Sequence, residues 1–233
     1  MARLLVHVEG ETEETFVNEL LSKHLQAIGY ERVGARLLGN SRLRVRRGGI
    51  RAWTSVKKDI VRHLKEDRRC IASTMVDYYG LPQSGDGAWP GRAAATSLSI
   101  GEKALCVEEA LLTDIASEMG ADFAASRFVP YVVMHEFEGL LFSDCTAFAR
   151  GVGRPDMEAA FQSIRDQFVT PEEIDDSPIT APSKRLEGLI PGYEKPLFGS
   201  LAALEIGLDK IRVACPHFQS WLSKLETLGR GVI

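Results

Sequence analysis

A short apolar run that stops at an acid sets the frame for this chain. Leu4-Leu5-Val6-His7-Val8 has no polar–apolar alternation and is followed at once by Glu9-Gly10. Such a run reads as a strand buried on both faces, and strands of that kind belong to parallel sheets covered by helices on either side. Gly10 turns the chain and Thr12 can cap a helix. That helix carries Phe16, Val17, Leu20, Leu21 and Leu25 at near-helical spacing, and Gly29 is placed to end it.

The alternation continues. Val33 to Leu38 reads as a second strand. A helix from about Trp53 to Asp67 puts Trp53, Val56, Ile60, Val61 and Leu64 on one face, and Cys70 to Val76 is a third strand. A Gly-, Pro- and Ser-rich connection from Asp77 to about Ile100 is long enough to be functional. Its segment Gly85-Asp86-Gly87-Ala88-Trp89-Pro90-Gly91-Arg92 matches neither a P-loop nor a dinucleotide fingerprint and reads as a lid. A helix over Glu102–Met119 and a fourth strand over Arg127–Met134 follow. Beyond Asp144 come helical segments at Asp156–Phe168, Ser183–Leu189, Leu197–Arg212 and His217–Leu228. The order predicts an α/β fold. A mainly parallel four-stranded sheet flanked by helices would occupy residues 1–145, and a helical C-terminal extension, residues 146–233, would pack on it as part of one compact unit.

Composition excludes several classes. With 45% apolar and 26% charged residues and a net charge of −4, the chain is neither disordered nor a generally basic nucleic-acid coat. No apolar run approaches the roughly 18 residues of a membrane span. The N-terminus lacks the pattern of a signal peptide, so the expectation is a cytoplasmic protein without a membrane partner. Cys70, Cys106, Cys145 and Cys215 are too widely spaced for a Cys-rich zinc site or disulfide framework and read as reduced, buried thiols. The charge is unevenly spread. From Ser41 to Arg69, eleven basic residues stand against three acids, a local +8 beside a remainder of −12.

The acids fall at mechanistically suggestive places. Glu9 follows the first strand, Asp77 the third, and His135-Glu136-Phe137-Glu138 the fourth. In open parallel sheets ligands bind beyond the carboxyl ends of the strands. Hard divalent cations prefer oxygen ligands, and without one, neighbouring carboxylates raise each other's pKa. Each residue also has a structural alternative. Glu13 suits a helix first turn, Asp77 a turn, and Glu138 a solvated helix face. His135 suits a buried, hydrogen-bonded imidazole, and Asp144 a helix cap.

Val8-Glu9-Gly10-Glu11-Thr12-Glu13-Glu14 resembles the opening motif of Toprim domains, particularly those of the overcoming-lysogenization-defect type of nucleases. Over most of its length the chain resembles the bacterial family DUF4276. Matching blocks lie at Glu9–Glu13, Met75–Pro82, His135–Asp144, Ala181–Leu186 and Gly192–Gly199. The Toprim resemblance covers roughly residues 1–145. It implies a four-stranded parallel core and Mg²⁺- or Mn²⁺-dependent cleavage of nucleic acid strands. By that resemblance Glu9 is a metal ligand or general acid/base, and Asp77 is the first aspartate of an Asp-x-Asp pair. Tyr79 stands where the second aspartate is expected, so Glu136, Glu138 or Glu13 would have to replace it. The resemblance also implies an ATPase partner in a phage-defence setting.

The reading assigns catalysis to Glu9, Glu13, Asp77 and His135, and metal binding to Glu9, Asp77, Glu136 and Glu138. Arg42, Arg44, Arg46 and Arg47, with Lys184 and Arg185, would grip phosphates; Lys195 belongs to the same second basic set. Arg44 and Arg46 alternate with Leu43 and Val45, which equally fits a charged edge strand. The leading expectation is a DNA- or RNA-cleaving, metal-dependent nuclease. Its rivals are a non-enzymatic partner of an ATPase and a metal-dependent phosphatase or phosphotransferase for small substrates.

Overall fold

The computed structural model describes residues 1–38, 50–174, 182–190 and 192–231, without the side chains of Ser183 and Lys184. Strand β1 (Arg3–Val8) leads into helices α1 (Glu11–Phe16) and α2 (Ser22–Ile28), joined by a π-helical turn at Val17–Leu21. Gly29, at φ +140°, ends α2 where a Cβ would come within 2.6 Å of Gly229 O. Then come β2 (Arg32–Leu37), α3 (Trp53–Glu66), β3 (Cys70–Asp77) and α4 (Ile100–Met119). Two short strands, β4 (Phe128–Val129) and β5 (Val132–Val133), precede the helical part of the chain. That part comprises α5 (Phe137–Leu140), α6 (Cys145–Gly151), α7 (Glu158–Arg165), α8 (Pro182–Leu189), α9 (Ser200–Ile206), α10 (Leu208–Ala214) and α11 (Pro216–Gly229). Among the described residues no helix is long and apolar enough to cross a membrane.

The sheet runs β2-β1-β3-β4, every pairing is parallel, and β5 also pairs with β3. This is the α/β arrangement, with a parallel core flanked by helices, that the sequence predicts. The fourth strand differs from expectation. Instead of one strand over Arg127–Met134, the chain forms two-residue strands on either side of Pro130 and Tyr131. Pro130 has no N–H for the ladder. The hydroxyl of Thr74 bridges the gap, accepting from Tyr131 N and donating to Tyr131 O, both at 3.1 Å.

Period-2 alternation sends the strand residues to two cores. Leu4, Val6 and Val8 of β1, with Ile71 and Met75 of β3, face α1, α2 and the C-terminal helices in a single apolar cluster. Ala72 and Val76 face α3 and α4, where Trp53, Val56, Ile60 and Leu64 meet Val107, Leu111 and Ile115. Trp221 of α11 is buried on the first face and donates from Nε1 to Ser73 Oγ at 3.0 Å; Tyr30 OH donates to Leu225 O at 2.9 Å. On the other face His7 is fully buried, with Nδ1 3.2 Å from Ser73 O and its ring stacked on His63.

Local rules account for the helix boundaries. The expected helix Leu197–Arg212 is broken at Gly207, whose φ of +78° no continuing helix permits, into α9 and α10. Asp144 caps α6, its Oδ1 accepting from Ala147 N at 2.9 Å. The segment read as a lid is anchored: Trp89 is buried against Trp53 and donates to Arg51 O at 2.9 Å.

Candidate active site at the carboxyl ends of the strands

Parallel pairing makes three strand ends neighbours. Register sets Val8 opposite Met75 and Asp77 opposite Val133, so the residues just past β1, β3 and β5 emerge side by side. Asp77 N donates to Glu9 Oε2 at 3.4 Å. The turn Tyr78–Gly80 folds back over Glu9, and a Cβ on Gly80 would lie 3.4 Å from Glu9 Oε2. From β5 the chain runs through buried His135 to Glu136 and α5, which places Glu138 in the interior at 2% exposure rather than on a solvated face.

Glu13 combines its two alternatives. Its Oε2 accepts from Gly10 N at 3.1 Å, the local role expected in a first helical turn, and the same carboxylate is buried among the other acids. Among the described residues Asp77 Oδ1 is buried without a hydrogen-bond partner. Lys195 enters from the π-helical turn Lys195–Gly199. This turn presses so closely on α1 that a Cβ at Gly199 would come 2.9 Å from Thr12 Cγ2. Lys195 Nζ donates to Glu136 Oε1 at 3.1 Å and Glu138 Oε2 at 3.2 Å. The sequence groups Lys195 with Lys184 and Arg185 as a basic set; here it is the counter-charge of Glu136 and Glu138. Its signal was the block around Tyr193-Glu194-Lys195-Pro196, and no spacing rule connects that block to the ends of β1, β3 and β5 far earlier in the chain.

The electrostatics follow from burial and crowding. Burial, then Glu9 and Glu13, pushes Asp77 well above the ordinary carboxylate range. Burial, with Glu138 and Glu9, moves Glu13 up to about 7. Glu9 is raised mainly by burial, against the hydrogen bond from Asp77 N. Glu138 is raised by burial despite Lys195. Burial works against the charge of Lys195, but Glu138, Glu136 and Asp77 outweigh it and hold the ammonium protonated.

Tyr79, where the resemblance leads one to expect a second aspartate, stacks on His135 with ring centroids 5.6 Å apart and planes at 11°. Arg185 is half-buried on α8, which packs against α5. Arg42, Arg44, Arg46 and Arg47, and the side chain of Lys184, lie outside the described residues.

Donor chemistry in this cluster suits Mg²⁺ or Mn²⁺, which take carboxylate oxygens. The buried, unsatisfied Oδ1 of Asp77 is an atom that a cation would satisfy. Among the described residues no three His, Cys, Asp or Glu side chains already converge as a metal site. With Lys195 between Glu136 and Glu138, the carboxylates are held around an ammonium instead.

Together these features define an α/β protein with a parallel sheet and a buried acidic cluster at the carboxyl edge of its strands. The chain belongs to the family described as "Domain of unknown function (DUF4276)", whose profile matches residues 8–226. Among solved structures it is similar to the C-terminal region of the OLD protein of Xanthomonas campestris pv. campestris, at 16% identity and a TM-score of 0.44. That similarity covers 98% of this chain and 96% of that one. Among curated proteins none matches the chain.

Proposed function

We propose that the chain is an Mg²⁺- or Mn²⁺-dependent nuclease that hydrolyses phosphodiester bonds at the strand-end cluster. One observation carries the reading: Glu9 past β1 meets Asp77 at the end of β3, Glu136 and Glu138 past β5 share the ammonium of Lys195, and Glu13 is buried beside them. Glu9, Asp77, Glu136 and Glu138 would hold the cation. When bound, it polarises a phosphoryl oxygen and makes water a stronger acid. Glu13, fixed by the Gly10 N–H and titrating near neutrality, takes the proton from the attacking water. His135 is a positioning residue that packs Tyr79 beside the cluster. Arg185, with Lys184 and the arginines at 42, 44, 46 and 47, would attract the phosphate backbone, and an ATPase would be the protein partner.

The test is cleavage of single-stranded, duplex and nicked DNA and of RNA, with and without Mn²⁺. Glu9→Ala and Asp77→Ala should each abolish metal-dependent cleavage. Full activity in either variant removes these assignments. A second reading is favoured by Lys195 filling a cation's place: a non-catalytic partner of an ATPase on the same scaffold. It predicts no Mn²⁺ binding at millimolar metal by calorimetry.

A further inference from the structure

Tyr79 is the only exposed aromatic side chain among the described residues, at 44%. It lies two residues past Asp77 and next to Gly80, which covers Glu9. The part of the ring left in water is not accounted for by its packing on His135 and Tyr78. Everything around it fixes its orientation instead. His135 stacks on it in near-parallel geometry, and Tyr78 meets it edge-on at 5.0 Å. Arg92, buried in the loop anchored by Trp89, donates from Nε to Tyr78 O at 2.9 Å, and its guanidinium lies 3.9 Å from the Tyr78 ring centroid. The turn that presents Tyr79 is therefore held in place. Lys103 Nζ donates to Tyr79 OH at 3.5 Å, which sets a positive charge at the rim of the ring.

A rigid exposed ring with a cation at its edge matches the chemistry of a nucleotide: a flat π-face beside a phosphate. We infer that Tyr79 is a stacking platform for an unpaired nucleobase, and that the substrate of the adjacent cluster is single-stranded nucleic acid or a single-stranded end. Bases inside a duplex are already stacked on their neighbours and offer no free face. The inference rests on the nuclease reading for the identity of the cluster, and it gives a purpose to the tyrosine standing where an aspartate was expected.

The experiment measures binding of the full chain to a labelled oligothymidylate of about 15 nucleotides, and to a duplex of the same length, in Ca²⁺. Tyr79→Ala should weaken single-strand binding roughly tenfold and leave duplex binding unchanged, the loss expected for one base–aromatic stack. Tyr79→Trp should keep wild-type affinity, and its added indole should be quenched by the oligonucleotide. Unchanged single-strand binding in Tyr79→Ala overturns the platform and leaves the nuclease reading standing. Equal losses on both probes also overturn it, because the residue would then act without regard to base pairing. A wild-type chain that binds neither probe removes the nuclease reading together with the platform.

Discussion

Glu13→Gln separates the charge of the cluster from its shape. Gln keeps an oxygen to accept from Gly10 N, 3.1 Å away, and removes a carboxylate whose pKa is raised to about 7. Folding raises that pKa from 4.5 to about 7, by burial first and then by Glu138 and Glu9. The folded chain thus holds this proton more tightly than the unfolded chain. The contribution of Glu13 to stability is fully present below about pH 4.5 and is lost as pH rises through about 7. A shift of this size corresponds to about 3 kcal/mol by pH 8. Glu13→Gln should therefore match wild type near pH 4.5 and exceed it at pH 8 by about 3 kcal/mol, a rise in Tm on the order of 10 °C for a chain of this size. The wild-type profile alone would conceal this. Burial lowers the pKa of His7 from 6.5 to about 4, so its contribution is present above about 6.5 and lost as pH falls through about 4. That is the opposite sense over nearly the same window. Only the difference between variant and wild type isolates Glu13. The assay is thermal melting in EDTA at steps between pH 4.5 and 8. A variant that tracks wild type throughout, or is less stable at pH 8, refutes the reasoning.

Lys195→Met leaves Glu138, at 2% exposure, without its described cation. Allowing for the 39% exposure of Lys195, the loss in EDTA at pH 8 should be about 2 kcal/mol. Removing the competing ammonium should also tighten Mn²⁺ binding by calorimetry, and weaker binding would count against its place as counter-charge. Trp221→Phe deletes the N–H donated to Ser73 Oγ and part of a buried ring, and should cost about 1–2 kcal/mol in denaturant melts while leaving Mn²⁺ binding unchanged. A loss of metal binding in that variant would mean that the packing of α11 on β3 is coupled to the strand-end acids.

The fold was legible where periodicity is strong. Leu4 to Val8 and the Trp53–Leu64 face required only two periods and the rule that two-sided burial means parallel pairing. Both strands and helix stand where that reasoning puts them. The interrupted edge was missed because Pro130 and Tyr131 look apolar and strand-like; the hydroxyl that bridges the gap belongs to Thr74, 57 residues away. In the site, the acids were legible because strand ends are local features and the topology rule brings them together. Lys195 and the stack of Tyr79 on His135 were not, because both depend on how the C-terminal turn and the β3 turn pack in three dimensions.

Charge distribution sharpens the functional argument further. Three of the seven bases from Arg51 to Arg69 already face acids: Lys57 pairs with Asp114 at 3.2 Å and Glu118 at 3.8 Å, Arg62 pairs with Asp59 at 3.2 Å, and Arg51 approaches Asp59 at 4.0 Å. The Lys57 pairs join α3 to α4 and the other two lie on Asp59 of α3, so phosphate at these bases would have to displace carboxylates. Lys57, Arg62 and Arg51 are therefore poorer candidates for a nucleic-acid backbone than the arginines at 42, 44, 46 and 47 named in the proposal. The strand-end acids present the converse case, with too little positive charge rather than too much. Protons can make up the difference at low pH, which is why burial and crowding raise the pKa values there. A divalent cation can make it up at high pH. Protons and metal must then compete for the same oxygens. Metal affinity should accordingly rise between pH 5 and 8, with protons released on binding, as calorimetry in buffers of different ionisation enthalpy would record. A metal affinity independent of pH would place the cation outside this cluster.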